Sequence, residues 1–246
     1  MSRQAFLIRS GNLFFRFRNF LFPAFFIFLF LFTRPAFFLG SPALDRVVRA
    51  AGIIIVLAGQ AFRFLVIGFD YIKRGGKDGR VYADNLVIGG FYAHVRNPMY
   101  IGNFLIVVGL VMIHGSPWAY FAAIPFISFT YLSIVVTEEN YLRGHFAAEY
   151  EAYCRRVNRF IPNFGGLKKS LNQFRYDWRK ALRKDYGTFF GALVGCYATS
   201  LWKRYYFYGF PQPKSEVLIQ VLVFVLILVC YGAVRYLKKS GRLRSP

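Results

Sequence analysis

Apolar residues along this chain neither alternate with polar ones nor keep to one helical face; they gather into long runs that charges hardly interrupt. The clearest cores are Phe25–Phe32, Ile53–Ala58, Ile101–Ile113, Trp118–Val136 and Val217–Val234. A helix crosses a ~30 Å hydrocarbon core with roughly 20 mostly apolar residues, a length most of these runs reach with their flanks. A soluble fold would have to bury nearly every side chain of several helices. The pattern therefore predicts an all-α, polytopic transmembrane helical bundle of about six spans, near 20–39, 47–69, 100–114, 117–137, 187–203 and 216–234. It divides into an N-terminal segment with the first span (1–46), a core of three spans plus a cytosolic cap (47–165), a basic amphipathic segment (166–186), and a C-terminal pair of spans with a basic tail (187–246).

In segment 166–186, Leu167, Leu171, Phe174, Trp178 and Leu182 share one helical face between basic residues. That spacing predicts an amphipathic helix lying on the inner leaflet, or a plain helix packed on the cap. Near the N-terminus, Arg3, Arg9, Arg16 and Arg18 precede the apolar run Phe20–Phe32 as in a signal peptide. No small-x-small cleavage site follows, and Thr33-Arg34-Pro35 comes next, so a retained first helix is expected.

Composition agrees: 56% of residues are hydrophobic, with 30 Phe and 17 Tyr. The net charge of +21 would suit a nucleic-acid binder, but its placement favours another reading. With the N-terminus inside, only Arg34, Arg46, Arg49, Lys203, Arg204 and Lys214 fall outside, and Arg63 lies within the second span. Every other Lys and Arg is then on the inner side, so the positive-inside rule puts both termini in the cytosol. The expected partners are membrane lipids of the anionic inner leaflet, and no nucleic acid. Three cysteines, Cys154, Cys196 and Cys230, without CxxC spacing argue against a disulfide framework or metal site. Three histidines, His94, His114 and His145, are too few for a membrane di-iron oxygenase.

Ionisable groups near a membrane core are costly and are the default functional candidates. Two clusters stand out: Asp84–Tyr100 (DNLVIGGFYAHVRNPMY) and Thr137–Pro162 (TEENYLRGHFAAEYEAYCRRVNRFIP). The turn His114-Gly115-Ser116-Pro117 joins the intervening spans with almost no loop, which brings both clusters to one end of the bundle. Glu138 and Glu139 sit where an apolar helix is expected to end and the dipole disfavours negative charge. They are either a solvated helix end or a pair held by a cation. Arg96 is either a functional cation or a snorkelling anchor, and His94 either a catalyst or a hydrogen-bonded structural side chain. Pro98 suits the first turn of the third span. Neither GxGxxG nor GxxxxGK[ST] occurs, so a nucleotide-like cofactor would need a non-Rossmann site.

Together, HVRNPMYIG, then TEENYL one helical hairpin later, then FAAEYEAYCRRVNRFIP, resemble the isoprenylcysteine carboxyl methyltransferases and the related membrane phospholipid N-methyltransferases over roughly Arg63–Pro162. The resemblance implies S-adenosyl-L-methionine bound between membrane and cytosolic cap. It implies contacts from Asp84, Asn85, Leu86, Val87, Tyr92, Asn97, Pro98, Met99 and Tyr100, with Glu138, assisted by Glu139, holding the methionine amino group. Carboxylates and aromatic faces suit a sulfonium and an ammonium. His94, Arg96 and Glu139 are the candidate catalytic residues, and no metal is implied.

The prenylcysteine enzymes carry a carboxylate-binding Arg where Ile134 stands, and commonly His where Asn97 stands. Ile134 favours a lipid amine or other neutral acceptor. The expected function is methyl transfer to a lipid-like acceptor at the cytosolic face, by in-line attack that depends chiefly on alignment. Two alternatives stay open: a thiol S-methyltransferase with the same cofactor site, and a non-catalytic lipid-binding or transport component.

Overall fold

The computed structural model describes residues 2–69, 74–77, 80–83, 85–209 and 213–243. Six long helices form the bundle: α1 (Arg3–Phe32), α2 (Pro42–Phe69), α3 (Pro98–His114), α4 (Pro117–Arg156), α6 (Trp178–Tyr208) and α7 (Lys214–Lys239). A short α5 (Leu167–Leu171) and a two-stranded antiparallel hairpin, β1 (Arg74–Lys77) with β2 (Arg80–Ala83), sit between them. By length and composition α1, α2, α4 and α7 can each cross a membrane, and α3 is a shorter apolar helix. The protein is an integral membrane protein with an all-helical bundle, and α6 packs beside α2 and α3.

The tightest pair is α2 with α3. Glycines at the same interval on each helix meet face to face, Gly52 with Gly109 and Gly59 with Gly102. A Cβ added to Gly59 would lie 2.7 Å from the Gly102 carbonyl oxygen, so only hydrogen fits. Small residues that let backbones approach are the usual means of helix association in lipid, where apolar burial alone gives little preference for a partner helix. The turn between α3 and α4 is as tight as expected: Gly115 caps α3 at φ +79° and Pro117 opens α4. On the other flank α1 packs against α4, with Phe25 stacked on Phe126 at 4.1 Å and Phe22 beside Tyr131 at 5.5 Å.

Three expectations are corrected. The first helix begins at Arg3 and ends at Phe32, so Arg9, Arg16 and Arg18 lie within it rather than before it. Arginine and phenylalanine are tolerable helix residues, and the helix runs on through Pro23 until the chain becomes extended at Thr33. α4 does not end at Glu138–Glu139; it runs on to Arg156 with a break in helical geometry at Ala147 (φ 39°). The two carboxylates therefore sit mid-helix, where the terminal dipole penalty does not apply. Finally, 166–186 is not one continuous helix. α5 stops at Leu171, the chain bends, Asp177 accepts a hydrogen bond from the Lys180 N–H at 2.9 Å as an N-cap, and α6 then continues through the expected fifth span.

Two buried ion pairs hold α6 to the bundle. Toward one end Asp185 binds the Arg63 guanidinium and also accepts from Gln60 Nε2 at 2.7 Å. Toward the other, Lys203 Nζ donates to Asp45 Oδ1 at 2.6 Å and to the Ile113 carbonyl at 3.3 Å. Beside it, His114 Nε2 meets Thr33 Oγ1 at 3.3 Å, and its Nδ1 accepts from the Ser116 N–H at 3.3 Å. One polar knot thus ties the end of α1, the start of α2, the α3–α4 turn and the end of α6. Removing one partner of a buried pair strands the other, typically at about 3–5 kcal/mol. Lys203→Met is therefore expected to lower the thermal midpoint in detergent sharply, and Asp45→Leu combined with Lys203→Met to recover much of it. Full stability in the single variant would contradict this role for the knot.

Candidate active site

The site lies at the end of the bundle opposite that knot. It is built where the chain before α3 runs alongside the chain after α4. The Arg96 N–H donates to the Asn158 carbonyl at 2.9 Å, and the Asn163 N–H to the His94 carbonyl at 3.0 Å. Asn97 Nδ2 donates to the Arg159 carbonyl at 3.2 Å, and the Tyr153 hydroxyl to the Tyr92 carbonyl at 2.7 Å. These bonds satisfy backbone groups that would otherwise be buried unpaired. They also give the two sequence clusters a physical reason to occur together.

Inside this frame the paired glutamates part company. Glu139 is fully buried, at 1% exposure, and faces a cage of arginines. Arg159 grips it through two hydrogen bonds, Nε to Oε1 at 2.9 Å and Nη2 to Oε2 at 2.7 Å. Arg96 approaches to 3.3 Å and Arg143, one turn on, to 3.9 Å. The hydrogen bond to Glu139, outweighing desolvation, holds the Arg159 guanidinium above its ordinary range. Glu138 is half-buried and points elsewhere: its Oε1 accepts from the Tyr100 hydroxyl at 3.0 Å, and it lines a cavity of about 990 Å³.

The residues lining that cavity fall into two sets along α3, which we call its two limbs. Around Glu138 stand Tyr92, Asn97, Met99, Tyr100 and Tyr131, with the Tyr100 and Tyr131 rings 5.3 Å apart. Farther in, the walls are apolar: Phe22, Phe26 and Phe30 of α1, Ile106, Val107 and Leu110 of α3, and a face of small residues on α6 including Gly187, Gly191 and Gly195. Between the limbs lies the polar group of Arg63, Asp185 and Asn103. Arg18, Lys180 and Lys184 add positive charge to the lining.

Of the residues singled out from sequence, Tyr92, Asn97, Met99, Tyr100 and Glu138 converge on this cavity. The others are placed around it. Pro98 is buried as the first residue of α3. Leu86 packs with Leu142 and Tyr153, Val87 packs with Val66 and Tyr92, and Asn85 is exposed. Asp84 lies outside the described residues. His94 is buried with both ring nitrogens engaged. Nδ1 donates to the Asn163 carbonyl at 2.5 Å, and Nε2 meets the Ser170 hydroxyl at 2.9 Å. Arg96 reaches Glu139 and Cys154 Sγ. His94, Arg96 and Glu139 are thus absent from the cavity wall and sit in the layer that supports Asn97. Among the described residues no cluster of His, Cys, Asp and Glu suits a metal.

Sequence reasoning missed Arg63, Asn103, Tyr131 and Asp185. A signal existed for Arg63, because an arginine within a span demands a buried partner; that partner, Asp185, had been assigned to the surface segment.

Residues 47–149 match the model of the phospholipid methyltransferase family. The protein-S-isoprenylcysteine O-methyltransferase of Schizosaccharomyces pombe is 31% identical over 166 residues, covering 63% of this chain. The chain spans about 61% of that relative's length. No solved structure matches the chain. The matched region contains Arg63, Tyr92, Asn97, Tyr100 and Glu138, whereas the α1 and α6 walls of the cavity lie outside it. Residues 47–149 are therefore similar to the phospholipid methyltransferase family, within an integral membrane protein.

Proposed function

We propose that this protein is a methyltransferase that uses S-adenosyl-L-methionine to methylate a lipid-like acceptor inside the two-limbed cavity. The observation that carries the reading is the cavity itself: a carboxylate among tyrosines at one end, continuous with an apolar limb. At about 990 Å³ it lies at the top of the ~300–1,000 Å³ range of ligand pockets, which suits two ligands meeting rather than one.

The residues fit the donor's chemistry. Glu138 is the counter-charge for an ammonium, and its bond from Tyr100 fixes its orientation. The faces of Tyr92, Tyr100 and Tyr131 attract a cationic centre and exclude water from it. Bound there, S-adenosyl-L-methionine would supply an electrophilic methyl group and leave as a neutral thioether. Alignment is then the chain's main task. Asn97, Met99 and Tyr100 are held by the first turn of α3, which the bonds to Asn158, Arg159 and Asn163 anchor. His94, Arg96 and Glu139 act as positioning residues for that turn. The apolar limb takes the acceptor's chain, with α6 as its far wall. The site faces the cytosol by the charge distribution, next to anionic headgroups that the basic segment around Lys168–Lys184 would meet.

The test uses the full chain in mild detergent with methyl-labelled S-adenosyl-L-methionine and a membrane lipid extract. Saturable binding and label transferred to the lipid fraction are expected. Label released by mild base as volatile methanol marks a carboxylate acceptor, and label that stays non-volatile marks an amine or a non-volatile thioether. Absence of saturable binding would leave a lipid-binding or transport component as the better reading.

A further inference from the structure

A second cavity, of about 730 Å³, opens at the end of the bundle opposite the candidate active site, between α2, α6 and α7. Its acidic groups are already engaged: Asp45 by Lys203 at 2.6 Å, and Glu216 by Arg204. Arg46 and Arg49, which also line it, have no ion pair or hydrogen bond among the described residues. Three positions apart on α2, they sit on adjoining turns of one face. The cavity therefore holds a surplus of positive charge that the protein does not compensate.

The rest of the lining is amphiphilic. Ile219 and Val223 of α7 and Leu201 of α6 form an apolar strip, with Tyr197 and Tyr208 of α6 among the lining aromatics. Tyrosines and arginines together are typical of headgroup depth in a bilayer. Guanidinium groups match a phosphate by parallel donors, so two of them at this end of the bundle suit the phosphodiester of a lipid headgroup. A small free anion would leave the apolar strip unused. Among the described residues α7 packs chiefly on α6, so a ligand wedged here would bridge α7 to α2.

We propose that this cavity binds one anionic phospholipid, its phosphate on Arg46 and Arg49 and one acyl chain along Leu201, Ile219 and Val223. The proposal does not rest on the methyltransferase reading and concerns the opposite end of the protein.

The test reconstitutes the full chain in phosphatidylcholine bilayers containing a little photoactivatable phosphatidylglycerol, and maps the crosslinked peptides. Crosslinks are expected on the Tyr197–Tyr208 and Lys214–Val223 stretches. They should fall about 30-fold in the Arg46→Gln/Arg49→Gln double variant, the effect of losing two cations at a membrane surface. Crosslinks to the basic Lys168–Lys184 segment should persist, which also reports that the variant is folded. Arg46→Lys/Arg49→Lys should retain much of the signal, since it keeps the charge. The single Arg49→Gln, expected to lose an intermediate share, serves if the double variant does not fold. Undiminished crosslinking in the glutamine variants overturns the proposal, as does equal labelling by photoactivatable phosphatidylcholine. Loss of the crosslink in excess inorganic phosphate, with Lys168–Lys184 labelling unchanged, would identify a small-anion site instead and overturn it too.

Discussion

Glu138→Gln is expected to weaken binding of S-adenosyl-L-methionine roughly 100-fold while leaving the protein's stability almost unchanged. Glutamine keeps the size of the side chain and can still accept a hydrogen bond from Tyr100, so the local packing survives. What it loses is the charge. Hydrogen bonds to a charged partner contribute about 1.5–3 kcal/mol, and truncating one member of a desolvated charge pair costs about 2–5 kcal/mol; either range brackets a 100-fold change in affinity. Equilibrium binding of labelled cofactor, beside a thermal melt in the same detergent, measures both quantities. Unchanged affinity would remove Glu138 from the cofactor site and, with it, the main support for the proposed function.

The neighbouring substitution should do the reverse. Glu139→Gln is expected to destabilise the fold by about 3–5 kcal/mol, because it leaves Arg159, Arg96 and Arg143 facing one another around a neutral amide. Arg159 is partly open to solvent, which places the cost toward the lower end of that range. Cofactor affinity measured below the melting transition should fall much less than in Glu138→Gln, and mainly through looser placement of Asn97. A variant as stable as wild type but devoid of binding would show that Glu139 contacts the ligand directly. Paired measurements on the two glutamates thus separate binding from scaffolding at adjacent positions.

Much of the site was legible along the chain. Glu138, Asn97, Met99, Tyr100 and Tyr92 were singled out by the family resemblance of two clusters flanking a loopless helical hairpin, and they do converge on one cavity. The two clusters meet because Gly115 and Pro117 turn the chain straight back from α3 into α4. The division of labour between Glu138 and Glu139 was not legible. Consecutive residues on an α-helix point about 100° apart, so two adjacent glutamates cannot share one environment, but only the neighbours decide which environment each receives. Glu139 meets arginines drawn from three different stretches, at 96, 143 and 159.

The same limit explains α6. Its stretch around Asp185 reads as surface because it follows a basic, amphipathic segment, and Arg63 reads as an anomaly inside a span. Each is explained by the other, across 122 residues of chain. Local pattern carries no information about such a pair.

What the sequence determined by itself is the medium and the local geometry. Long apolar runs require helices in lipid, where backbone groups must be satisfied within each segment, and the His114–Pro117 turn folds two of them into a hairpin. What only the tertiary structure decided is which polar groups inside that medium face each other and which face open space. Desolvation in a bilayer penalises a buried ionisable side chain without a partner, and partners such as Asp185 for Arg63 come from distant stretches that only packing brings within reach.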